Sequence, residues 1–315
     1  PMPTAAARLF ATDAFPLPLP AGHRFPIEKY ALLRERVVAA GIVAAGDIGV
    51  PDPIADSALR AVHDTAYVDA VFTGTLPAEA QRRIGFPWSL DMVERSRRSA
   101  GATAAAAEAA LAGGLGITLA GGTHHAMAAR GEGYCVFNDV AVAARALRQA
   151  RRVRRVLVID CDVHQGNGTA ALFRDDPTVF TFDVYGARNY PFDKVAPDLA
   201  IPLPDGTGDD GYLEALTHGV RDAFARAKPE IVFYVSGADP YEGDRLGRLA
   251  LTRHGLAERD RTVFAACRAA GVPTVVTMAG GYAATIADTV EIHLTTVITA
   301  LRIVGDDAIE VIGLT

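Results

Sequence analysis

Nine consecutive residues, Asp160-Cys161-Asp162-Val163-His164-Gln165-Gly166-Asn167-Gly168, carry the side chains best suited to chemistry in this chain. They follow the apolar run Val156-Leu157-Val158-Ile159, which has the character of a short buried strand launched from the basic turn 151–155. Alternate side chains of an extended chain share a face, so the spacing predicts that Asp160, Asp162 and His164 point together. Two carboxylates and an imidazole at the C-terminal end of a strand suit a divalent metal better than a core. Gly166 and Gly168 let the backbone turn sharply and approach what sits there. A solvated Asp-rich turn with a capping role explains D-x-D-x-H equally well in isolation, so the decision falls to the rest of the chain.

The elements that must position these residues alternate between strand and helix. Apolar runs predict strands at 117–120, 156–159, 178–184, 231–235 and 274–278, with an edge strand and Pro-rich loop over 5–20. Helical periodicity predicts helices from about 23 to 40, over 55–70 with a structural His63, over the Ala-rich 102–112, and at 138–149, 211–227, 256–270 and from 282 to about 303. Strands alternating with helices of this length imply an α/β fold, a mostly parallel sheet with helices on both faces. No repeat or linker interrupts the pattern, so one domain over 1–315 is expected.

Position supplies the corroboration. Separate apolar strands end in His124-His125, in Asp160-Asp162-His164, in Asp239 and in Tyr282, and ligands of open α/β sheets bind beyond the carboxyl ends of the strands. Glycines precede His124, Asp239 and Tyr282, as expected where backbone crowds a ligand. Asp162, His164 and Asp239 would give a metal three protein ligands and leave positions open, the arrangement of a catalytic site. Adjacent histidines supply proton transfer near neutral pH. Each needs a partner on its far nitrogen, and Asp160 and Asn167 flank the ligand loop. Tyr282 can donate to a developing oxyanion. These parts make a metal-dependent amide hydrolase.

Composition sets limits on partners. Half of the 315 residues are hydrophobic and the net charge is −6, which argues against nucleic acid as a direct ligand but not against a basic peptide. Cys135, Cys161 and Cys267 show no CxxC spacing, so a reduced, cytoplasmic protein without disulfides is expected. No apolar run is long enough to span a membrane, no signal-peptide pattern opens the chain, and Pro1-Met2 has the look of a cloning remnant ahead of a native methionine. The basic run 148–155 is assigned to a solvated helix-to-strand turn, with a docking patch as the alternative.

In Gly121-Gly122-Thr123-His124-His125, Gly133-Tyr134-Cys135-Val136-Phe137-Asn138-Asp139, 160–169, Gly237-Ala238-Asp239 with Asp244-Arg245-Leu246-Gly247, and Gly280-Gly281-Tyr282, the chain resembles the zinc-dependent histone deacetylase family of the arginase/deacetylase fold. The resemblance implies Zn2+ at Asp162, His164 and Asp239, with Fe2+ as an alternative in the cell. It implies a narrow tunnel for an acyl-lysine, lined at Gly133, Tyr134, Tyr190, Gly280 and Gly281; by sequence alone His23 and Arg24 read first as a solvated loop, with a place at the binding rim as the alternative. In the resemblance His125 is the general base that later protonates the leaving amine, and His124, paired with Asp160, is its electrostatic partner. A structural K+ would lie beside the zinc, at Asp160, Asp162 and His164 main-chain oxygens with Asp183 and Val184.

Departures refine the resemblance. Gln165 replaces the second histidine usual after the metal-binding one, and Asp183-Val184-Tyr185 stands where Ser-Leu-His is usual; both resemble the class IV branch and its bacterial relatives. Asn167, a neutral residue, stands behind the second catalytic histidine. Cys161 is expected to pack on the opposite face. The expected substrate is an acyl-lysine peptide or protein, acetylated or with a longer chain, or a small acylated amine. An acetylpolyamine deacetylase shares every catalytic residue, and an inactive acyl-lysine-binding module is the alternative of another class. An arginase-like dimetal site would want a carboxylate where Gly166 stands.

Overall fold

β-Branched and aromatic residues recur in short runs, and the runs pair side by side in one sheet whose strands are all parallel. The computed structural model describes residues 8–305; Pro1-Met2 and the start of the expected N-terminal strand lie outside them. The strands are β1 (Leu9–Phe10), β2 (Leu115–Thr118), β3 (Val156–Asp160), β4 (Val179–Gly186), β5 (Leu199–Leu203), β6 (Ile231–Ser236) and β7 (Thr274–Met278). Their order across the sheet is β1-β2-β7-β6-β3-β4-β5. The helices are α1 (Lys29–Ala39), α2 (Asp56–Arg60), α3 (Thr65–Thr73), α4 (Ala78–Ile84), α5 (Leu90–Gly113), α6 (Asp139–Gln149), α7 (Asn167–Phe173), α8 (Asp209–Ala227), α9 (Arg253–Ala270) and α10 (Ile286–Ile303).

Alternation along each strand divides the core in two. Leu157 and Ile159 of β3 join Val232 and Tyr234 of β6 in a core closed by α1, α8, α9 and α10. Val156 and Val158 join Ile231, Phe233 and Val235 on the other face, against α5 and α6. The Ala-rich run of α5 is there for close approach: a Cβ placed on Gly116 of β2 would stand 1.9 Å from the Ala106 carbonyl oxygen. Both faces are covered, so the strands are apolar without polar alternation. The α/β architecture expected from the sequence is the one observed.

Four details differ from the sequence-based expectation. The helix over 55–70 is two helices, because a turn at 61–64 turns His63 inward. Its Nε2 accepts from the Asn138 amide at 3.0 Å and its Nδ1 faces the Met127 carbonyl at 2.8 Å, which is a structural role. Strand β5 was masked by Pro202, tolerable there because β5 is the sheet edge. Helix α7 begins inside the central motif itself, and α4 was not anticipated.

The topology places the nominated strand ends together. β2, β7, β6 and β3 are consecutive neighbours in the sheet, although their C-terminal turns are far apart in sequence. The chain leaves β3 outward through β4 and β5, then returns through α8 to lay β6 on the other side of β3. That reversal opens a crevice between β3 and β6, where such folds bind ligands.

Candidate active site

Asp162 and His164 leave the end of β3, and Asp239 leaves the end of β6, one on each side of the crevice. One ligand atom from each lies within 4.8 Å of the others, the one such His/Cys/Asp/Glu group found among the described residues. His164 Nδ1 is 2.9 Å from Asp162 Oδ1 and 3.2 Å from Asp239 Oδ2. Backbone amides set the carboxylates: Gly280 donates to Asp162 Oδ2 at 2.7 Å, His164 to Asp162 Oδ1 at 2.9 Å, and Val163 to Asp239 Oδ1 at 2.9 Å. Glycine is required at this point. A Cβ on Gly280 would lie 1.9 Å from Asp239 Oδ2, and one on Gly237 would lie 2.7 Å from Asp162 Oδ2.

Asp160 does not join this group as simple strand alternation predicted. The strand ends at Asp160, and the Asp162 amide folds back onto Asp160 Oδ1 at 3.1 Å. Asp160 Oδ2 instead meets His124 Nδ1 at 2.6 Å. Gly166 and Gly168 serve close approach rather than an unusual backbone angle. A Cβ on Gly168 would stand 2.4 Å from the Ala126 carbonyl oxygen, where α7 crosses the histidine loop.

The donors fit a divalent metal. Asp239 Oδ2 is buried without a hydrogen-bond partner. Burial and the neighbouring Asp162 charge push the Asp239 carboxyl up to about 7, the signature of two carboxylates competing for too little positive charge. Burial works against the His164 cation, yet its bond to Asp162 and the close Asp239 carboxylate raise it to about 10. A bound cation would satisfy the same field, and two carboxylates with one imidazole suit zinc or ferrous iron.

The paired histidines lie with ring centroids 4.1 Å apart, and their surroundings push their pKa values in opposite directions. Burial lowers the His124 pKa, but the charge and hydrogen bond of Asp160 outweigh it and lift the group to about 9. Burial, then the neighbouring His124 and His164 charges, hold His125 well below the ordinary range. Its Nδ1 faces Asn167 Oδ1 at 2.7 Å. The loop carrying both histidines is anchored by buried Asp139, which accepts from the Gly122 and Thr123 amides and from the Thr103 hydroxyl.

Tyr282 follows β7, buried, its ring centroid 6.4 Å from that of His164. Asp244 accepts its amide at 2.6 Å and Arg245 donates to its carbonyl at 3.1 Å, which fixes the backbone from both sides. Burial, then the charges of Asp239 and Asp162, push its phenol well above the usual range, so the hydroxyl stays a donor. A funnel of about 540 Å³ leads from solvent to His125, His164 and Tyr282, with Gly133, Tyr134 and Tyr190 on its wall. His23 and Arg24 line an adjoining depression that shares Tyr282 and Leu246. Gly280 lies at the carboxylates, and Gly281 packs on Thr289 of α10, so both are placed below the wall of the funnel.

Asp183 pairs in register with Asp160, and its buried Oδ2 has no hydrogen-bond partner; Val184 follows it along β4. Burial, then the Asp160 charge, raise the Asp183 carboxyl well above its usual range. Cys161 is buried in the core closed by α8 and α9.

Residues 23–298 match the family model described as Histone deacetylase domain. The chain belongs to the histone deacetylase family. An uncharacterized protein of Picosynechococcus sp. is 45% identical over 276 residues, 88% of this chain and 92% of its own length. Histone deacetylase 2 of Arabidopsis thaliana is 31% identical over 290 residues, covering 85% of this chain and 73% of its own. The crystal structure of a histone deacetylase homologue from Aquifex aeolicus aligns at a TM-score of 0.80 and 21% identity, over 93% of this chain and 83% of that one, and shares the fold. The protein is thus a hydrolase of the histone deacetylase family with the arginase/deacetylase architecture.

Three residues of this family member escaped the sequence reading. Glu132 is buried behind Asn167 and accepts from its Nδ2 at 2.7 Å. Lys29 is buried beneath Tyr282 and donates to the Ala279 carbonyl at 3.1 Å. Arg259 is fully buried and donates to the Cys161 and Gly237 carbonyls at 3.2 and 2.5 Å, tying the β3 and β6 turns together. A lone Lys or Arg in an otherwise apolar helical face was the available signal for the last two.

Proposed function

We propose that the protein removes acetyl or longer acyl groups from the ε-amino group of lysine in proteins or peptides. The observation that carries this reading is that the funnel ends on His125, His164 and Tyr282, with His124 and Asp162 in the small cavity behind them and Asp239 3.2 Å from His164. A divalent metal held by the first three, zinc or ferrous iron, supplies Lewis-acid activation of water and of the scissile carbonyl. Neutral His125 accepts the water proton at Nε2 and returns it to the leaving amine. Protonated His124, held by Asp160, stabilises the negative charge that develops beside it. The Tyr282 hydroxyl donates to the carbonyl oxygen as it becomes an oxyanion.

The buried Asp183 Oδ2, without a hydrogen-bond partner in the strand beside Asp160, supports a structural K+, which would also draw on Asp160, Asp162, His164 and Val184. The three buried, free cysteines suit a reducing cytoplasm. No helix among the described residues is long and apolar enough to cross a membrane. The test is release of free lysine amine from acetyl-, octanoyl- and myristoyl-lysine peptides by metal-loaded protein, beside an acetylated polyamine. Turnover of the polyamine alone would sink the lysine reading, and turnover of none would sink the hydrolase.

A further inference from the structure

The mouth of the funnel carries charge opposite in sign to the chain as a whole. The net charge is −6, yet Arg82, Arg83, Arg188 and Arg248 line the mouth and no Asp or Glu does. These arginines come from separate elements: two from α4, one from the loop after β4 and one from the loop after Asp239. The adjoining depression adds Arg24 and Arg245 against Glu28.

Intramolecular pairing offsets two of these four charges and leaves two uncompensated. Arg188 and Arg248 share the single carboxylate of Asp205, at 3.9 and 3.3 Å, and their side chains are 78% and 54% exposed. Arg83 reaches Glu79 at 3.3 Å in an exposed pair along α4. Arg82 has no ion-pair partner among the described residues. Two apolar side chains interrupt the cationic rim: Phe192, 83% exposed, and Leu246, 38% exposed. Arginine beside exposed aromatic and aliphatic surface is the composition of a surface that recognises peptide.

Charges at a rim act mainly on partner choice and encounter rate. A lysine-rich tail or a polyamine would bring further cations against these arginines, whereas carboxylates flanking the acyl-lysine would complement them. We propose that the substrate is an acyl-lysine set in an acidic peptide segment, with Asp or Glu within a few residues of the modified lysine. This inference rests on the lysine-deacylase reading and narrows it.

The test uses acetyl-lysine peptides of one length whose flanking positions are all Glu, all Gln or all Lys. The expected order of kcat/KM is Glu, then Gln, then Lys, with about a tenfold span, as for a few screened rim contacts. The span should collapse in about 0.5 M salt, where the screening length is only ~4 Å. The combined variant Arg82→Glu with Arg188→Glu should invert the order, its melting temperature reporting that both exposed substitutions leave the fold intact. Fluorescence anisotropy of the same peptides with chelator-treated protein gives the order without catalysis.

Equal or better turnover of the Lys peptide, or faster hydrolysis of an acetylated polyamine, overturns the inference. Tighter binding of a single-stranded oligonucleotide, with no effect of peptide charge, would make the patch a nucleic-acid surface and also overturn it. If acidic peptides bind in the expected order but none is hydrolysed, the deacylase reading fails while the charge preference of the mouth stands.

Discussion

The side-chain amide of Asn167 donates from Nδ2 to Glu132 Oε1 at 2.7 Å, and this contact decides which way the amide faces. A carboxylate oxygen accepts, so the amide nitrogen must lie toward Glu132 and the amide oxygen toward His125, whose Nδ1 stands 2.7 Å away. Asn167 Oδ1 then accepts the Nδ1 proton of His125, and the lone pair is left on Nε2, facing the reaction. Glu132 is therefore a positioning residue for His125, the general base of the proposed mechanism.

Glu132→Ala should free the amide to rotate. We expect kcat to fall by about tenfold or more, the usual scale for loss of an orienting partner, with KM and metal content little changed. Asn167→Asp should be worse, because it sets two carboxylates against each other. Adding Glu132→Gln to Asn167→Asp restores a donor between them and should recover activity. Steady-state kinetics on the three variants check this. A double variant no better than Asn167→Asp alone would show that Glu132 does not orient the amide.

Lys29 links the active site to pH-dependent stability. Its ammonium lies 5.3 Å from the Tyr282 ring centroid. Burial outweighs the pull of Asp239 and Asp162 and lowers its pKa to about 8. The unfolded chain therefore binds more protons between about pH 8 and the ordinary lysine value of about 10.4, and stability rises with pH through that window. The penalty is fully present below about pH 8 and amounts to ~3 kcal/mol. Relative to wild type, Lys29→Met should gain stability near neutral pH and lose that gain by about pH 10.4. Urea unfolding of both proteins at several pH values measures the difference; a pH-independent difference would contradict it.

Arg259 reaches across the two turns that carry Asp162 and Asp239, donating to the carbonyls of Cys161 and Gly237 and pairing with buried Asp260 at 2.8 Å. Arg259→Met removes the cation and leaves Asp260 uncompensated. Breaking a buried pair in this way costs about 3–5 kcal/mol. Metal affinity should fall as well, because the tied turns carry Asp162 and Asp239. Denaturant unfolding and metal titration check both; unchanged metal affinity in a destabilised variant would confine Arg259 to the core.

What the sequence made legible, and what it hid, divides along one physical line. Asp162, His164, Asp239 and Tyr282 could be nominated because each ends a run of strand residues, and parallel sheets gather such ends. Glu132, Lys29 and Arg259 could not, because their roles rest on hydrogen bonds to residues 35 or more positions away, Glu132–Asn167, Lys29–Ala279 and Arg259–Cys161, although Arg130 and Asp260 sit beside two of them in sequence. The pairing of Asp160 with His124 is the one expected, but the side-by-side placement of Asp160, Asp162 and His164 is altered because the strand ends at Asp160 and the chain folds back there. The arginines of the mouth come from α4 and two loops, which only the fold brings together.

The donor set predicts one transition metal per chain. Asp162→Ala or Asp239→Ala removes one of the two carboxylates of the single such group of His, Cys, Asp and Glu found among the described residues. Mass-spectrometric metal analysis should give occupancy near one in wild type and far below one in either variant. Full occupancy with normal turnover in a variant would refute the assignment, and two tightly held metals in wild type would favour a ureohydrolase-like site.

Tyr282 separates hydrolysis from mere binding. Its backbone is clamped by Asp244 and Arg245, its ring packs 5.3 Å from Lys29 Nζ, and its phenol remains protonated. The hydroxyl is thus held in place before substrate arrives, and its bond strengthens only as the carbonyl oxygen gains charge. Tyr282→Phe keeps the ring, so fold and metal content should survive. Loss of one oxyanion donor typically costs about 100- to 1000-fold in turnover, or ~3–4 kcal/mol. We therefore expect kcat on an acyl-lysine peptide to drop by that order, with inhibitor binding weakened far less. Kinetics and metal analysis on one preparation provide the test. Turnover within about threefold of wild type would make Tyr282 a packing residue, since a transition-state donor cannot be lost so cheaply.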